Sequence, residues 1–150
     1  MKVIFLDFDG VLNSEKYVRN FSGYGVIIDP TRMALLKHII DKTKAKIVLS
    51  TSWREHWEQC TGKCNDTGKE INKIFNEFNL SIFDKTPSIG GNREDEIESW
   101  LKSNPETENF VVLDDRFLDS PIIRGHFVKT DNYRSGISEE NVNEAIKILN

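Results

Sequence analysis

The sequence predicts an α/β fold in which helices cover both faces of a mostly parallel central sheet. Short apolar runs alternate with helix-like stretches along the whole chain, a pattern that is typical of βα units. Polar residues follow several of these runs directly, at the strand ends where open parallel sheets bind ligands. A chain of 150 residues, 38% of them hydrophobic, suits one core, and we expect a single domain over residues 1–150.

The predicted strands are five short apolar runs of the chain, and they cover residues 2–8, 46–49, 80–83, 110–113 and 126–129. Between the first strand and the first long helix, the glycine-containing stretch 13–28 predicts a loop or a hairpin flap. The polar stretch 62–68 predicts a second loop. The stretch 13–28, and a similarly short stretch that joins the third strand to Arg93, leave room for a flap but not for a second folded unit.

Capping residues and apolar spacing predict the helices. Asp29-Pro30 begins the first long helix, because aspartate is a good cap and proline suits the first helical position. Ser138 caps the last helix, with Asn141 standing where a full capping box has glutamate. Helical spacing of apolar residues predicts further helices near 71–78 and over 92–102, and 53–58 is a short helix candidate.

Charge and composition limit the classes of partner. The formal net charge is -4 and the pI is near 5.4, so no overall positive field favours nucleic acid or a membrane surface. No apolar run is long enough to cross a bilayer, and the start of the chain lacks the features of a secretory signal. We therefore expect a cytoplasmic protein with no membrane partner and no obligate protein partner. Cys60 and Cys64 fit that compartment as free thiols.

Three predicted strands end in side chains that carry chemistry. The pairs are Asp7 with Asp9, Ser50 with Thr51, and Asp114 with Asp115. Carboxylates at the end of a buried strand are costly unless a cation compensates them. Magnesium takes oxygen ligands and commonly uses one or two carboxylates together with phosphate oxygens and water. The acidic pairs therefore predict a Mg²⁺ site at one edge of the sheet.

These segments resemble the signature motifs of the haloacid dehalogenase (HAD) superfamily. Residues 5–13, Phe-Leu-Asp-Phe-Asp-Gly-Val-Leu-Asn, closely resemble the first motif, whose phosphatases carry Asp-x-Asp-Gly. Residues 46–50 look like the second motif, a strand that ends in Ser or Thr, and residues 111–115 look like the acidic fourth motif. The resemblance implies a Rossmann-like HAD core with a minimal cap, no more than a flap, and hydrolysis of a phosphate monoester.

The resemblance also implies a role for each of the motif residues. Asp7 would attack the phosphoryl group and form an aspartyl phosphate, and Asp9 would act as the general acid and base. The Asp7 carboxylate and the Asp9 main-chain carbonyl would bind Mg²⁺, with Asp114 or Asp115 completing the metal shell. Ser50 would hydrogen-bond the phosphoryl oxygens, a role for which Thr51 competes.

The third motif of the family supplies a cation that steadies the nucleophile and the phosphate. Lys85 and Arg93 are the candidates. We prefer Arg93, because it stands at the start of a helix just before the fourth strand, where the family usually carries this residue. An alternative is that Arg93 pairs with Glu96 or Glu98 on its own helix.

A narrower resemblance concerns the residues that follow the second and fourth motifs. Ser50-Thr51-Ser52-Trp53-Arg54 and Leu113-Asp114-Asp115-Arg116 are similar to segments of small HAD domains of RNA-repair proteins and of polynucleotide 3′-phosphatase domains. This similarity implies that Arg54 and Arg116 bind substrate. The substrate is then a small phosphate ester or a nucleic-acid end, which the minimal cap would admit.

Other interpretations of these residues stay open. Asp114 and Asp115 alone would also fit a helix cap, and Arg54 would also fit a solvated helix residue. At the level of function, the alternatives are a catalytically idle HAD-fold binding or scaffold module and a phosphotransferase to a second substrate.

Three residues outside the motifs have metal-ligand chemistry. His56, Cys60 and Cys64 recur every four residues, so a helix would stack them on one face and zinc is an alternative to free thiols. Gly62 weakens such a helix, and a fourth ligand is not evident. Trp53 and Trp57 are also four residues apart, and we expect them to pack locally instead of stacking on bases.

Overall fold

The computed structural model describes residues 1–57 and 65–150. Its sheet has five strands, all parallel, in the order β3-β2-β1-β4-β5. The strands are β1 (Lys2–Leu6), β2 (Lys46–Leu49), β3 (Ile82–Lys85), β4 (Asn109–Asp114) and β5 (Phe127–Lys129). The order reverses at β1, which pairs with β2 on one side and with β4 on the other, and this is the point at which doubly wound sheets bind ligands.

Five α-helices and one 3-10 helix complete the described part of the chain. They are α1 (Glu15–Arg19), α2 (Pro30–Thr43), the 3-10 helix (Ser52–His56), α3 (Asp66–Glu77), α4 (Arg93–Ser103) and α5 (Glu139–Leu149). Nowhere in residues 1–57 and 65–150 is there a helix with the length and apolar character needed to cross a membrane.

Helices pack on both faces of the sheet, as the sequence predicts. Ile4 and Leu6 of β1 belong to the larger core, which they share with buried residues of α2, α3 and α5. Val3 and Phe5 point to the opposite face, where the ring of Phe5 meets Trp100 of α4 edge to face at a centroid distance of 5.4 Å. Because its residues are buried on both faces of the sheet, β1 is apolar from Val3 to Leu6.

The strand register places the polar strand ends side by side. Leu6 of β1 is in register with Leu49 of β2 and with Leu113 of β4. The next residue of each segment is therefore Asp7, Ser50 or Asp114. The backbone continues this alignment, since Asp7 N donates to the Leu113 carbonyl at 3.1 Å and Ser50 N donates to the Leu6 carbonyl at 2.9 Å.

The helix boundaries confirm several sequence predictions and correct others. The Asp29 side chain caps α2 and accepts from Thr31 N, with Pro30 at the first helical position. The capping box of α5 is complete, because the Asn141 side chain accepts from Ser138 N at 3.0 Å. Asparagine thus makes the hydrogen bond that glutamate makes in the usual capping box.

Two predicted loops contain helix. The stretch 13–28 holds the short helix α1, capped by Ser14, so the prediction of a hairpin there is wrong. Helix α3 begins at Asp66, inside the predicted loop 62–68, because the Asn65 side chain caps it by accepting from Gly68 N at 2.9 Å.

Candidate active site

A buried group of carboxylates lies at the carboxyl ends of the two central strands. Asp7 follows β1, Asp114 ends β4, and Asp115 is the next residue. Each offers one oxygen atom such that the three oxygens lie within 4.8 Å of one another, and Asp7 and Asp114 are buried. We call these three residues the acidic cluster. Gly10 allows the close approach of the loops, because its φ is +82° and a Cβ there would lie 2.5 Å from the Asp115 side chain.

Arg93 enters this cluster from the first turn of α4. Its Nη1 donates to Asp114 Oδ2 at 2.7 Å and to the Ser50 carbonyl, and it lies 3.5 Å from Asp7 Oδ2. The alternative of a pair with Glu96 on the same helix is wrong, because Glu96 binds another arginine. Lys85, the other third-motif candidate, donates instead to the carbonyls of Trp57 and Arg54 at 2.8 and 3.2 Å.

One guanidinium does not balance three carboxylates, and the pKa values reflect this. Burial and the Asp114 carboxylate raise the pKa of Asp7 to about 7, although Arg93 acts in the opposite direction. Burial also raises the pKa of Asp114, again against the effect of Arg93. The cluster therefore holds its full negative charge only at a cost, which a bound cation would remove.

The hydroxyls of Ser50 and Thr51 differ in the hydrogen bonds that they make with the residues that the structure describes. Ser50 is buried, and its Oγ has no hydrogen-bond partner among the residues that the structure describes. The neighbouring Thr51 is also buried, but its hydroxyl caps the 3-10 helix by accepting from Trp53 N at 3.4 Å. Both hydroxyls keep a proton that can be donated to a ligand oxygen, so the choice between Ser50 and Thr51 stays a prediction.

Asp9 differs from Asp7 in its surroundings. It is exposed, and its carboxylate accepts two neutral hydrogen bonds: Oδ1 from Asn13 Nδ2 at 3.1 Å and Oδ2 from Trp53 Nε1 at 3.0 Å. Sequence reasoning gave neither donor a role. Asn13 was visible as the last residue of the first motif, whereas Trp53 was expected only to pack locally. Its contact with Asp9 joins segments 44 residues apart, which spacing does not reveal.

The motif residues thus meet at one edge of a sheet whose strand order reverses there. The family described as the HAD domain in Swiss Army Knife RNA repair proteins matches residues 3–142. This range covers the five strands apart from Lys2, and every residue of this site. The chain belongs to this HAD family. Both the predicted fold and the predicted family are confirmed. No curated protein and no solved structure matches the chain.

In this HAD domain, Arg54 is buried and its guanidinium is hydrogen-bonded to other protein groups. It donates to Glu96 Oε2 at 2.5 Å, to the Thr51 carbonyl at 2.8 Å and to Ser88 Oγ at 3.4 Å. The alternative of a solvated helix residue is wrong, since Arg54 is 7% exposed. Its predicted role in binding substrate stays a prediction, as does that of Arg116, whose side chain is exposed beside the acidic cluster.

A cleft of about 350 Å³ opens beside Asp9 in the HAD domain. Helix α1 lines the cleft with Glu15, Val18 and Arg19, and Asn132 also lines it. The Arg19 guanidinium lies over the ring of Tyr133, 5.6 Å from its centroid. The stretch predicted as a flap therefore borders the predicted acid/base residue. It lines the cleft with the apolar Val18 and with Arg19, which pairs with Glu15 at 3.5 Å.

Two of the three residues of the proposed zinc site lie outside the residues that the structure describes. Cys60 and Cys64 lie outside residues 1–57 and 65–150. His56 ends the 3-10 helix, and its Nδ1 lies 2.9 Å from Asn65 Nδ2. Trp57, as expected, packs locally: it is buried, and its Nε1 donates to Asn72 Oδ1 at 2.9 Å.

Proposed function

We propose that this HAD domain is a magnesium-dependent phosphatase that hydrolyses a phosphate monoester through an aspartyl phosphate at Asp7. The observation that carries the proposal is the arrangement around Asp7, a buried carboxylate among two others and 3.5 Å from the Arg93 guanidinium. The next strand ends at Ser50, whose hydroxyl has no hydrogen-bond partner within residues 1–57 and 65–150. Membership of the HAD family supports a phosphatase or a related activity.

The acidic cluster fits a divalent cation. When ionised, its three carboxylates carry two more negative charges than Arg93 neutralises, and carboxylate oxygens are ligands that Mg²⁺ prefers. Asp7, Asp114 and Asp115 would hold the ion through their side chains, and Asp9 would add its main-chain carbonyl. When bound, Mg²⁺ would draw charge from the phosphoryl oxygens and keep the carboxylates ionised.

The residues would divide the reaction into two displacements. In the first, an Asp7 oxygen attacks phosphorus, the bond to the ester oxygen breaks, and a proton from Asp9 passes to that oxygen. In the second, water attacks the aspartyl phosphate, Asp9 takes its proton, and the bond between phosphorus and Asp7 breaks. Ser50 Oγ and Arg93 would bind the phosphoryl oxygens during both steps.

Two functions of other classes compete with this one. An idle scaffold would keep the fold without turnover, but the raised pKa of Asp7 shows that the acidic cluster is costly to maintain, and a domain without chemistry has no use for it. A phosphotransferase would share the first displacement and replace water by a second substrate.

A nucleic-acid 3′-phosphatase is the narrower candidate within the same class. The family description refers to RNA repair proteins, which supports a nucleic-acid substrate. The exposed Arg116 follows the acidic cluster directly. The substrate would then be a phosphorylated strand end in the cytoplasm, the compartment predicted from the sequence, and the ester of a small molecule is the alternative.

The test is phosphate release with Mg²⁺ from p-nitrophenyl phosphate, glycerol phosphate, and 3′- and 5′-phosphorylated oligonucleotides. Asp7→Asn removes the nucleophile while keeping the side-chain shape, so turnover should fall by about 10⁴-fold or more. Asp41→Asn is the matched control, because Asp41 is exposed on α2 and pairs with Lys37. It should retain wild-type turnover.

The outcomes separate the candidates. Release that Asp7→Asn abolishes supports the aspartyl mechanism, and a preference for the 3′-phosphorylated strand supports the nucleic-acid substrate. Normal turnover by Asp7→Asn would show that the nucleophile is assigned to the wrong residue. A folded wild-type protein that binds Mg²⁺ and releases no phosphate from any of these esters would favour the binding module.

A further inference from the structure

We propose that Trp53 is a positioning residue for Asp9: its indole N–H holds the carboxylate that delivers the proton to the leaving group. The inference rests on the proposed function. Trp53 Nε1 donates to Asp9 Oδ2 at 3.0 Å, while Asn13 Nδ2 donates to Oδ1 at 3.1 Å. Each carboxylate oxygen of Asp9 therefore has its own donor from a different part of the chain.

The Asn13 side of this arrangement is fixed by further hydrogen bonds. Asn13 is buried, its Oδ1 accepts from Gly10 N at 2.9 Å, and its Nδ2 also donates to the Ile27 carbonyl at 2.8 Å. Rotation of the amide would break all of these bonds, so its donor direction is set. The first-motif loop alone consequently fixes only one oxygen of Asp9.

The Trp53 side ties Asp9 to the second motif. Trp53 lies in the 3-10 helix that follows Ser50 and is capped by Thr51, and its ring is half-buried against the larger core. An indole anchored in this way has little freedom left to lose when it donates its N–H. The hydrogen bond thus couples the acid/base residue to the segment that would bind the phosphoryl group.

This coupling matters because Asp9 is exposed. An exposed aspartate with no partners moves among several rotamers, and only some of them bring the carboxyl group within reach of the leaving oxygen. Asp9 borders the cleft formed by α1, where a leaving group would lie. Holding Asp9 at the mouth of this cleft keeps the proton donor near the ester oxygen before substrate arrives.

The kinetic test uses Trp53→Phe, which removes the N–H and keeps an aromatic ring. We compare kcat/KM for glycerol phosphate, whose alkoxide must be protonated as it leaves, with that for p-nitrophenyl phosphate, whose phenolate leaves without a proton. The parameter kcat/KM covers the steps up to leaving-group departure, so hydrolysis of the aspartyl phosphate does not enter the comparison. The variant should lose about 10-fold on glycerol phosphate and less than about 2-fold on p-nitrophenyl phosphate.

Trp57→Phe is the matched control. It makes the same change directly after the same 3-10 helix, where the indole N–H binds Asn72 and not Asp9. Its ratio of kcat/KM values on the two esters should equal that of the wild type. An equal loss by Trp53→Phe on both esters, or no loss on either, would overturn the positioning role.

A second measurement does not depend on activity. The indole N–H groups of Trp53, Trp57 and Trp100 bind Asp9, Asn72 and Asp84, and each gives its own NMR resonance. Asp9→Ala should move the Trp53 resonance and leave the other two in place. An unmoved Trp53 resonance overturns the proposal whether or not the protein is a phosphatase. If the resonance moves but the wild type hydrolyses no ester, the proposed function fails, and the catalytic role of Trp53 fails with it.

Discussion

Two buried arginines, Arg93 and Arg54, sit in regions of opposite character. They are 6% and 7% exposed, and each donates to at least one carboxylate. Arg93 reaches the acidic cluster at the strand ends, where Asp7 and Asp114 compete for it. Arg54 meets the single carboxylate of Glu96, which also accepts from Ile89 N at 2.9 Å. One helix supplies both regions, since Arg93 and Glu96 lie three residues apart in α4.

The difference between the two regions is one of charge balance. Around Arg54 one cation pairs with one anion. This pair holds two segments of the chain together and has no excess charge that could bind a ligand. Around Arg93 the anions outnumber the cation, and the pKa values of Asp7 and Asp114 are raised. An excess of buried charge of one sign therefore marks the site, whereas a buried pair alone does not.

Among the variants that test this comparison, Arg93→Ala should have the largest effect, a loss of phosphatase turnover. Loss of the guanidinium removes the donor beside the predicted nucleophile, and phosphatase turnover should fall by about 10²–10³-fold. Arg93→Lys keeps a positive charge but not the planar group, so it should retain part of the activity. The measurement is kcat on p-nitrophenyl phosphate with saturating Mg²⁺.

Arg124→Ala is the control for Arg93→Ala, because Arg124 pairs with Asp119 on the surface at 3.0 Å. It should be fully active. If Arg93→Ala were also fully active, the unbalanced charge around Arg93 would have no catalytic meaning.

The next effect is on stability. Arg54→Ala leaves Glu96 buried without its guanidinium, so the free energy of unfolding should fall by about 3 kcal/mol. In the double variant Arg54→Met/Glu96→Leu no charge remains to be buried, and most of that loss should be recovered. Urea denaturation of the wild type and both variants gives these values.

The same double variant tests the predicted contact of Arg54 with substrate. If Arg54 only closes the contact with Glu96, the double variant keeps the wild-type KM for a 3′-phosphorylated oligonucleotide. A KM that rises for the oligonucleotide and not for p-nitrophenyl phosphate would instead show that Arg54 binds nucleic acid. Charge balance would then fail to distinguish a ligand site from a structural ion pair.

The smallest predicted effect concerns pH. The raised pKa of Asp7, about 7, means that the folded protein binds this proton more tightly than the unfolded chain does. The stabilisation is therefore complete below pH 4 and is lost as the pH rises through 7. Without Mg²⁺, the free energy of unfolding should fall on the order of 2 kcal/mol between pH 5 and pH 8 from this group. Denaturation in EDTA at several pH values measures it.

Two additions make the pH experiment decisive. Asp7→Asn should reduce the dependence, because the amide does not titrate; the part that remains comes from Asp114, whose pKa is also raised. Mg²⁺ should stabilise the wild type more at pH 8 than at pH 5, since protons compete with the ion for the same oxygens. A slope that persists unchanged in Asp7→Asn would locate the titrating group elsewhere.

Much of the fold and of the site follows from the sequence because both depend on local patterns. Apolar runs gave all five strands to within a few residues, and the register of β1 with β2 and β4 brings Asp7, Ser50 and Asp114 together as expected. Helix starts such as Asp29-Pro30 could be predicted because a cap is a contact between residues a few positions apart.

The contacts that sequence reasoning missed join residues far apart in the chain. Two such contacts are the hydrogen bonds of Trp53 with Asp9 and of Arg54 with Glu96. Both depend on the side-chain conformation adopted once the backbone has folded. Helix α1 was missed for another reason: it has only five residues and no buried side chain, so it leaves no apolar periodicity to detect.

The pairing of β1 with β4 also has a consequence for the order in which the molecule assembles. It joins residues that are 107 positions apart, from Lys2 with Asn109 onward. At about 5–20 residues per second, a ribosome makes β4 on the order of 10 s after β1. Until β4 has been made, Asp7 has no contact with Asp114. The growing chain then contains the complete first motif but not the acidic cluster. Such long-range parallel pairing forms slowly, so the acidic cluster assembles only after most of the chain has been made.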